Sequence, residues 1–201
     1  MTASRRRLRR TTDRYQWEKD RALLPEDERR RAGAAERDTG LPREELEFST
    51  EFGSAPADAE LARWFGVPEG TRMLCRSYRT WARGESAPLS LVRSWLVYDM
   101  VAANPALLSP ENEPWPGGTP HQLSTIGIEI DRVVDEVTVR LPRSEETEIL
   151  DVAVGVPVLV LRKTSIDTMG RVVEVAECVL PGDRAEIVST TRLAPWPKRC
   201  R

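Results

Sequence analysis

Reactive side chains are scarce in this chain of 201 residues, and their spacing argues against most site chemistry. Cys75, Cys178 and Cys200 are too few and too scattered for a disulfide framework or a CxxC metal knuckle. Two of them fall in strand-like stretches and one in the tail. The single histidine, His121, removes most zinc sites, His-paired nucleophiles and proton relays, which need several histidines or one beside an acid and a nucleophile. No G-x-G-x-x-G, P-loop or H-E-x-x-H motif occurs. No metal and no cofactor is therefore expected, and an enzyme is disfavoured before any pattern is read. Arginine is the abundant functional group. Arg5, Arg6, Arg7, Arg9 and Arg10 form a run without an acid, suited to phosphate backbones or an acidic partner. The run offers neither a recognition helix nor a groove-sized strand pair, so nonspecific contact or a solvated linker fits it better than sequence-specific DNA reading.

Overall, 30 basic and 32 acidic residues leave a net charge of −2, and 40% of the chain is hydrophobic, which suits one globular domain plus extra rather than two domains. Residues 1–50 carry 13 basic and 11 acidic side chains, and the apolar residues concentrate beyond them. No window approaches 18 uninterrupted apolar residues, so no membrane span is expected. MTASRRRLRR is basic but no apolar segment follows it, which speaks against a secretory signal and for a cytoplasmic protein.

The elements that must carry any site follow from periodicity. DRYQWEKDRALL, 13–24, reads as a helix with Asp13 as cap, and PEDERRRAGAAER restarts one, opened by Pro25 and interrupted by Gly33 and Gly40. These helices are expected to pack lightly. LEFSTEF, Leu46 to Phe52, alternates and should be the first strand. An internal repeat follows. Leu61 to Thr80 matches Thr147 to Ser165 at an offset of 85, setting Val67 against Val152, Gly70 against Gly155 and Leu74 against Leu159. Each copy reads helix, glycine turn, strand. Each then returns through a hairpin loop, ARGESA or DTMGR, along PLSLVRSWL or VVEVAECVL at an offset of 84. Between the copies, TPHQLSTIG reads as a short helix capped by Thr119, and DRVVDEVTVR as a strand with Val133, Val137 and Val139 on one face. AEIVSTT closes the pattern after the turn Pro181, Gly182, Asp183, Arg184. The expected fold is α+β, an antiparallel β-sheet with flanking helices built on two helix-turn-hairpin repeats.

This order of motifs resembles the UTRA effector-binding domain, which follows the winged helix in GntR-type transcription regulators of the HutC subfamily. The resemblance spans about Asp13 to Leu193. It is carried by FGVPEGTRML, LDVAVGVPVLVLRKTS, GRVVEVAECVL and the closing PGDR. It implies a chorismate-lyase-like fold whose cleft binds a small cytoplasmic metabolite, and a domain that senses and forms a homodimer, coupling effector binding to DNA affinity. A winged helix needs about three helices and a hairpin, and only twelve residues precede the first helix. DNA would then be read only through a winged helix not in this chain. Residues 1–12 are expected to be a basic linker remnant, 13–193 the effector-binding domain, and 194–201 a flexible tail.

The resemblance also implies a pocket. Members place arginines on the first repeat's strand, where a fork of donors suits phosphate or carboxylate. Here Tyr78 and Thr80 stand at those positions, so Arg76, Tyr78 and Thr80 share one face and Arg79 lies opposite. On the returning strand Val92 replaces an acid while Ser94 keeps a small polar group. Thr119 matches the family's hydroxyl at a helix start, where free N–H groups can hold an anion, and His121 sits one turn in. Glu174 matches an acidic position for ligand hydroxyls, unless it pairs across strands with Arg93. Leu180 replaces a frequent tyrosine. Arg14 and Tyr15 would close the cleft from outside or line the linker. These departures suit a less polar effector than a sugar phosphate. Two rival readings remain: a chorismate-lyase-like enzyme using Arg76 and Glu174, against which stands the lack of a second placed acid, and a headless partner that pairs with full-length regulators.

Overall fold

The computed structural model describes residues 6–194. Arg5, Cys200 and the tail beyond residue 194 therefore lie outside the described residues. The chain opens with strand β1 (Leu8–Thr11) and three short helices, α1 (Arg14–Arg21), α2 (Glu26–Arg31) and α3 (Ala34–Thr39). Then come β2 (Leu46–Pro56), α4 (Ala59–Phe65), the hairpin β3 (Arg72–Ala82) and β4 (Ser90–Val97), α5 (Tyr98–Val101) and α6 (Gly118–Ser124). The second half holds β5 (Ile130–Arg140), α7 (Ser144–Leu150), the hairpin β6 (Val158–Asp167) and β7 (Val172–Pro181), and β8 (Ala185–Val188). None of the described helices is long and apolar enough to cross a membrane.

Six strands form one antiparallel sheet in the order β2-β3-β4-β7-β6-β5. That order is the repeat made visible, because the two hairpins meet through their return strands, with Ser94 opposite Ala176 and Arg93 opposite Glu177. Each unit also owns the strand before its helix. Leu46 and Ile130, which open β2 and β5, are 84 residues apart, so the repeat is strand, helix, strand, strand rather than the shorter unit legible in the sequence. Both helix-to-strand turns place a glycine at positive φ, Gly70 at +83° and Gly155 at +84°, where a Cβ is disfavoured.

The sheet's two faces are used differently. On the back face each repeat's helix covers its own apolar patch: α4 with Leu61, Ala62 and Phe65 over Met73 and Val175, and α7 with Leu150 over Val158, Val160 and Val179. Burying one such leucine is worth about 1.5–3 kcal/mol, so these patches fix both helices. The front face carries two apolar cores, one around Leu46, Leu89, Leu161 and Leu180, the other joining Leu74 and Leu96 to Leu107 and Leu123. Polar side chains occupy the strip between them.

Three local expectations need correction. Leu46–Pro56 is not the first strand, because Leu8–Thr11, inside the stretch that reads as linker, pairs in parallel with β8 through Leu8 against Ala185 to Thr11 against Val188. Asp13 does not cap α1: its backbone is already helical, and its carboxylate accepts from Arg37 instead. Of the first helices, α2 buries no residue, as expected, but α1 and α3 are not lightly packed. Arg14, Glu18 and Arg21 of α1 and Asp38 of α3 are buried, with Arg14 bonded to both Asp38 and Glu18. Hydrophobic counting misses this because the anchors are charged. Pro25 and Gly33 do separate α2 and α3 as the sequence suggests.

Candidate functional site

Between the N-terminal layer and the middle of the front face lies a polar cavity of about 190 Å³. Its floor comes from four strands whose side chains alternate, so that Arg76 and Tyr78 of β3, Ser94 of β4, Glu174 of β7 and Lys163 of β6 point the same way. Glu174 is the hub. One carboxylate oxygen accepts from Arg76 Nη2 at 2.9 Å, Ser94 Oγ at 2.9 Å and Thr119 Oγ1 at 3.2 Å; the other takes Lys163 Nζ at 2.7 Å and Ser165 Oγ at 3.3 Å. Arg76 and Glu174 are each 2% exposed. Burial works to raise the Glu174 carboxyl, but Lys163 and Arg76 outweigh it and hold it down at about 2. Arg76 reaches on through Nη1 to Gln122 Oε1 at 2.8 Å. Tyr78 donates to Glu113 Oε1 at 3.1 Å, and burial pushes its phenol well above the usual tyrosine range.

The N-terminal layer supplies the opposite wall. Arg14 from α1 and Arg10 from β1 line the cavity. Two further hollows adjoin it. One, of about 140 Å³, is mostly apolar, with Leu8, Ala35, Leu89, Val92, Cys178 and Leu180. The other, about 520 Å³, opens beneath α2 and α3 against Phe48, Glu113 and Trp115. The three share walls at Arg10, Arg14, Tyr78 and Thr80, forming one cleft with a charged centre, an apolar side arm and a wide mouth.

Of the residues singled out from the sequence, Arg76, Tyr78, Ser94, Thr119, Glu174 and Arg14 wall the central cavity together. Thr80 shares their face but borders the two adjoining hollows. Arg79 lies opposite, in a groove with Arg93, Glu177 and α7, as the alternation requires. Tyr15 borders a separate small hollow and donates to Asp135 at 2.8 Å, pinning α1 to the edge strand β5. His121 lies away from this centre: its Nδ1 accepts from Trp115 Nε1 at 2.8 Å, and burial, with Arg29 nearby, lowers its pKa. Thr119 is not a cap. Gly117 holds that position and Thr119 is the second helical residue, which frees its hydroxyl for Glu174. Glu174 pairs with Arg76 and Lys163 rather than with Arg93, whose side of the sheet is the other one.

Sequence reading missed Arg10, Glu113, Gln122 and Lys163. Lys163 had a signal, since at the offset of 85 it is the repeat's counterpart of Tyr78, and both wall the cavity. Glu113 had none, standing in an irregular stretch between short helical turns. It is the second cavity acid that the sequence appeared to lack.

Comparison with known proteins bears on what this cleft is. A search of curated proteins gave no matching sequence. Among solved structures, the chain is similar to a GntR-family transcriptional regulator, with TM-score 0.73 and 23% identity over 96% of this chain and 72% of that one. It is also similar to PhnF from Mycobacterium smegmatis, with TM-score 0.67 and 19% identity over 96% of this chain and 75% of that one. A third likeness is to the C-terminal domain of the histidine utilization repressor from Pseudomonas syringae pv. tomato str. DC3000, with TM-score 0.60 and 18% identity over 75% of this chain and 99% of that domain. The first is named as a transcription regulator and the third as part of a repressor, and none of the three bears an enzyme's name. At these identities the likeness establishes the shared fold, including the antiparallel sheet with flanking helices. The family model for the UTRA domain matches residues 49–186, well over half of the sequence, and the chain belongs to the UTRA domain family.

Proposed function

We propose that this chain is the effector-sensing part of a GntR/HutC-type transcription regulator, working in the cytoplasm as a homodimer. Its central cavity holds a small metabolite, and DNA is contacted by a winged helix outside this chain. The observation that carries the reading is the polar strip at the middle of the sheet. Arg76, Glu174, Lys163, Ser94 and Thr119 are gathered there beneath a wall built by the N-terminal layer. A buried polar network is an expensive way to fill a core, since well-packed apolar residues often serve stability as well or better. It makes sense where a ligand must be oriented. Charge-assisted donors and acceptors in a desolvated cavity give a small polar ligand both affinity and direction.

The reading also assigns a use to β1. Ligand in the cavity touches a strand that leads back to the N-terminus, so its binding energy bears on how that strand is held, which is the coupling an allosteric regulator needs.

The test is a thermal-shift screen of the purified chain against a panel of cytoplasmic metabolites, repeated on Tyr78→Phe and Thr119→Val. At least one compound should raise the wild-type melting temperature, with the rise cut or lost in the variants and chorismate left unconverted. No shift from any compound, or shifts indifferent to both substitutions, would overturn the cavity as the sensing site. Sedimentation should give twice the 22.7 kDa of the chain; a monomer across the micromolar range would overturn the homodimer.

A further inference from the structure

Two charged groups walling the cavity make no ion pair at contact, although Arg10 feels Asp38 and Glu18, and Glu113 feels Arg76, at longer range. Arg10 donates to Tyr15 Oη at 3.2 Å, its buried Nε has no hydrogen-bond partner, and no carboxylate among the described residues pairs with it. Glu113 accepts from Tyr78 Oη, from Gln122 Nε2 at 2.7 Å and from the Trp115 backbone N–H at 2.8 Å, all neutral donors, and no cation among the described residues pairs with it. The remaining cavity charges are answered at contact. Arg14 faces Asp38 and Glu18, and Glu174 faces Arg76 and Lys163.

Counting the cavity wall with these partners gives four cations, Arg10, Arg14, Arg76 and Lys163, against four carboxylates, Glu18, Asp38, Glu113 and Glu174. The site is balanced in number but not fully paired at contact. A guest carrying net charge would leave one charge unmatched where desolvation makes that costly. A guest with one charge of each sign keeps the balance and gives both unpaired groups a partner. Position decides where its charges lie. Arg10 also borders the apolar side arm beside Leu89 and Leu180, whereas Glu113 also borders the wide mouth, so the two stand at different margins of the cavity.

We propose that the cavity takes a small zwitterion of the ω-amino acid type, with its carboxylate on Arg10 and its ammonium on Glu113. This rests on the cavity being the effector site and names the class of effector. The guanidinium fork of Arg10 receives both carboxylate oxygens. Glu113, with the Tyr78 oxygen beside it, accepts from the ammonium's three donors. The methylenes between lie over Val92 and Ala176.

Calorimetric titration of the full chain tests this with 4-aminobutanoate, 5-aminopentanoate and 6-aminohexanoate against pentanoate and pentylamine. One of the zwitterions should bind about tenfold or more tighter than either singly charged analogue, the worth of one charge-assisted contact. Arg10→Gln should reduce that zwitterion to the affinity of pentylamine, Glu113→Gln to that of pentanoate, and Arg9→Gln should change neither. Arg10→Lys, which keeps the charge and loses the fork, should fall between and serves if Arg10→Gln does not fold. Pentanoate binding as tightly as every zwitterion, an advantage that survives both Gln variants, or no binding of any of the three zwitterions would each overturn the proposal. If the metabolite screen meanwhile gives a Tyr78-dependent shift with a ligand that is not a zwitterion, the assigned class fails while the cavity stands as the effector site. A screen without any such shift removes the cavity reading itself.

Discussion

Glu174 has to remain ionised while almost fully buried, and the two cations and three hydroxyls around it make that possible. Its carboxyl is held at about 2 against an ordinary 4.5. A depressed carboxylate contributes stability that is fully present above the unfolded value and is lost as pH falls toward the folded one. Glu174 should therefore contribute about 3 kcal/mol at neutral pH, draining away between about pH 4.5 and pH 2. Glu174→Gln should lower the neutral-pH stability by about that amount, because Arg76 and Lys163 lose their acid, and should flatten the acid limb. Urea unfolding across pH checks both, and an unchanged limb in the variant would place the acid sensitivity elsewhere. At this scale the sequence was half legible. Strand alternation predicted that Arg76, Tyr78 and Thr80 share a face, and the family resemblance pointed to Ser94 and Glu174. Neither could pair Glu174 with Lys163 rather than Arg93, since which strands adjoin and which face each side chain takes are settled only when the sheet closes. Arg10 read as one of a run of linker arginines because a charge run carries no sign of a strand that turns one member inward.

At the scale of elements, the conserved geometry of the two repeats explains residues that look like mere punctuation. Gly70 and Gly155 each sit at positive φ with nothing within 4 Å of where a Cβ would stand, so alanine there meets only backbone strain of about 1–2 kcal/mol. Gly182 differs. Its φ is ordinary, but a Cβ would stand 2.6 Å from the Pro157 carbonyl oxygen, which is backbone and already accepts the Gly182 N–H at 2.9 Å. The next residue but one, Arg184, is buried and donates to the Leu150 carbonyl at the C-terminus of α7 at 2.6 Å, where a cation also suits the helix dipole. The PGDR turn thus ties the end of β7 to both the turn before β6 and the helix before it. Gly182→Ala should cost more than either Gly70→Ala or Gly155→Ala, by about 1 kcal/mol or more, because the clash adds to any backbone effect. Denaturant midpoints of the three variants decide it, and a Gly182→Ala protein as stable as the other two would mean the turn shifts freely. The repeat's helices, hairpins and glycines were readable as offsets of 84 and 85, whereas its first strands were not, because β2 and β5 share geometry without sharing a residue pattern.

The whole molecule is a twofold-repeated sheet with a layer laid across it, and the site exists only where the two meet. The UTRA family model covers residues 49–186, so Arg10, Arg14, Glu18 and Asp38 all lie outside it, yet they or their partners wall the cavity. The layer is fastened at its margins: β1 to β8, Tyr15 to Asp135, and Lys19 to the Ile130 carbonyl at 2.8 Å. These ties are polar, and the layer's apolar share is Leu8, Leu41 and Ala35, which pack into the core around Leu46, Leu89, Leu161 and Leu180. Regions that add only a few apolar contacts to their polar ties open at lower free energy than the cores they rest on. Tyr15→Phe removes the bond to Asp135 and the acceptor of Arg10, a loss of about 1 kcal/mol. It should speed amide exchange in β1 and α1 about fivefold, which is that energy expressed as an opening constant, while β4 and β7 at the centre of the sheet keep their protection. Exchange that quickens equally in all four elements would mean that layer and sheet open as one unit. The layer would then not be the movable part through which an occupied cavity acts on the N-terminus. Selective quickening, reversed by the ligand that fills the cavity, would make the strand carrying Arg10 that movable part.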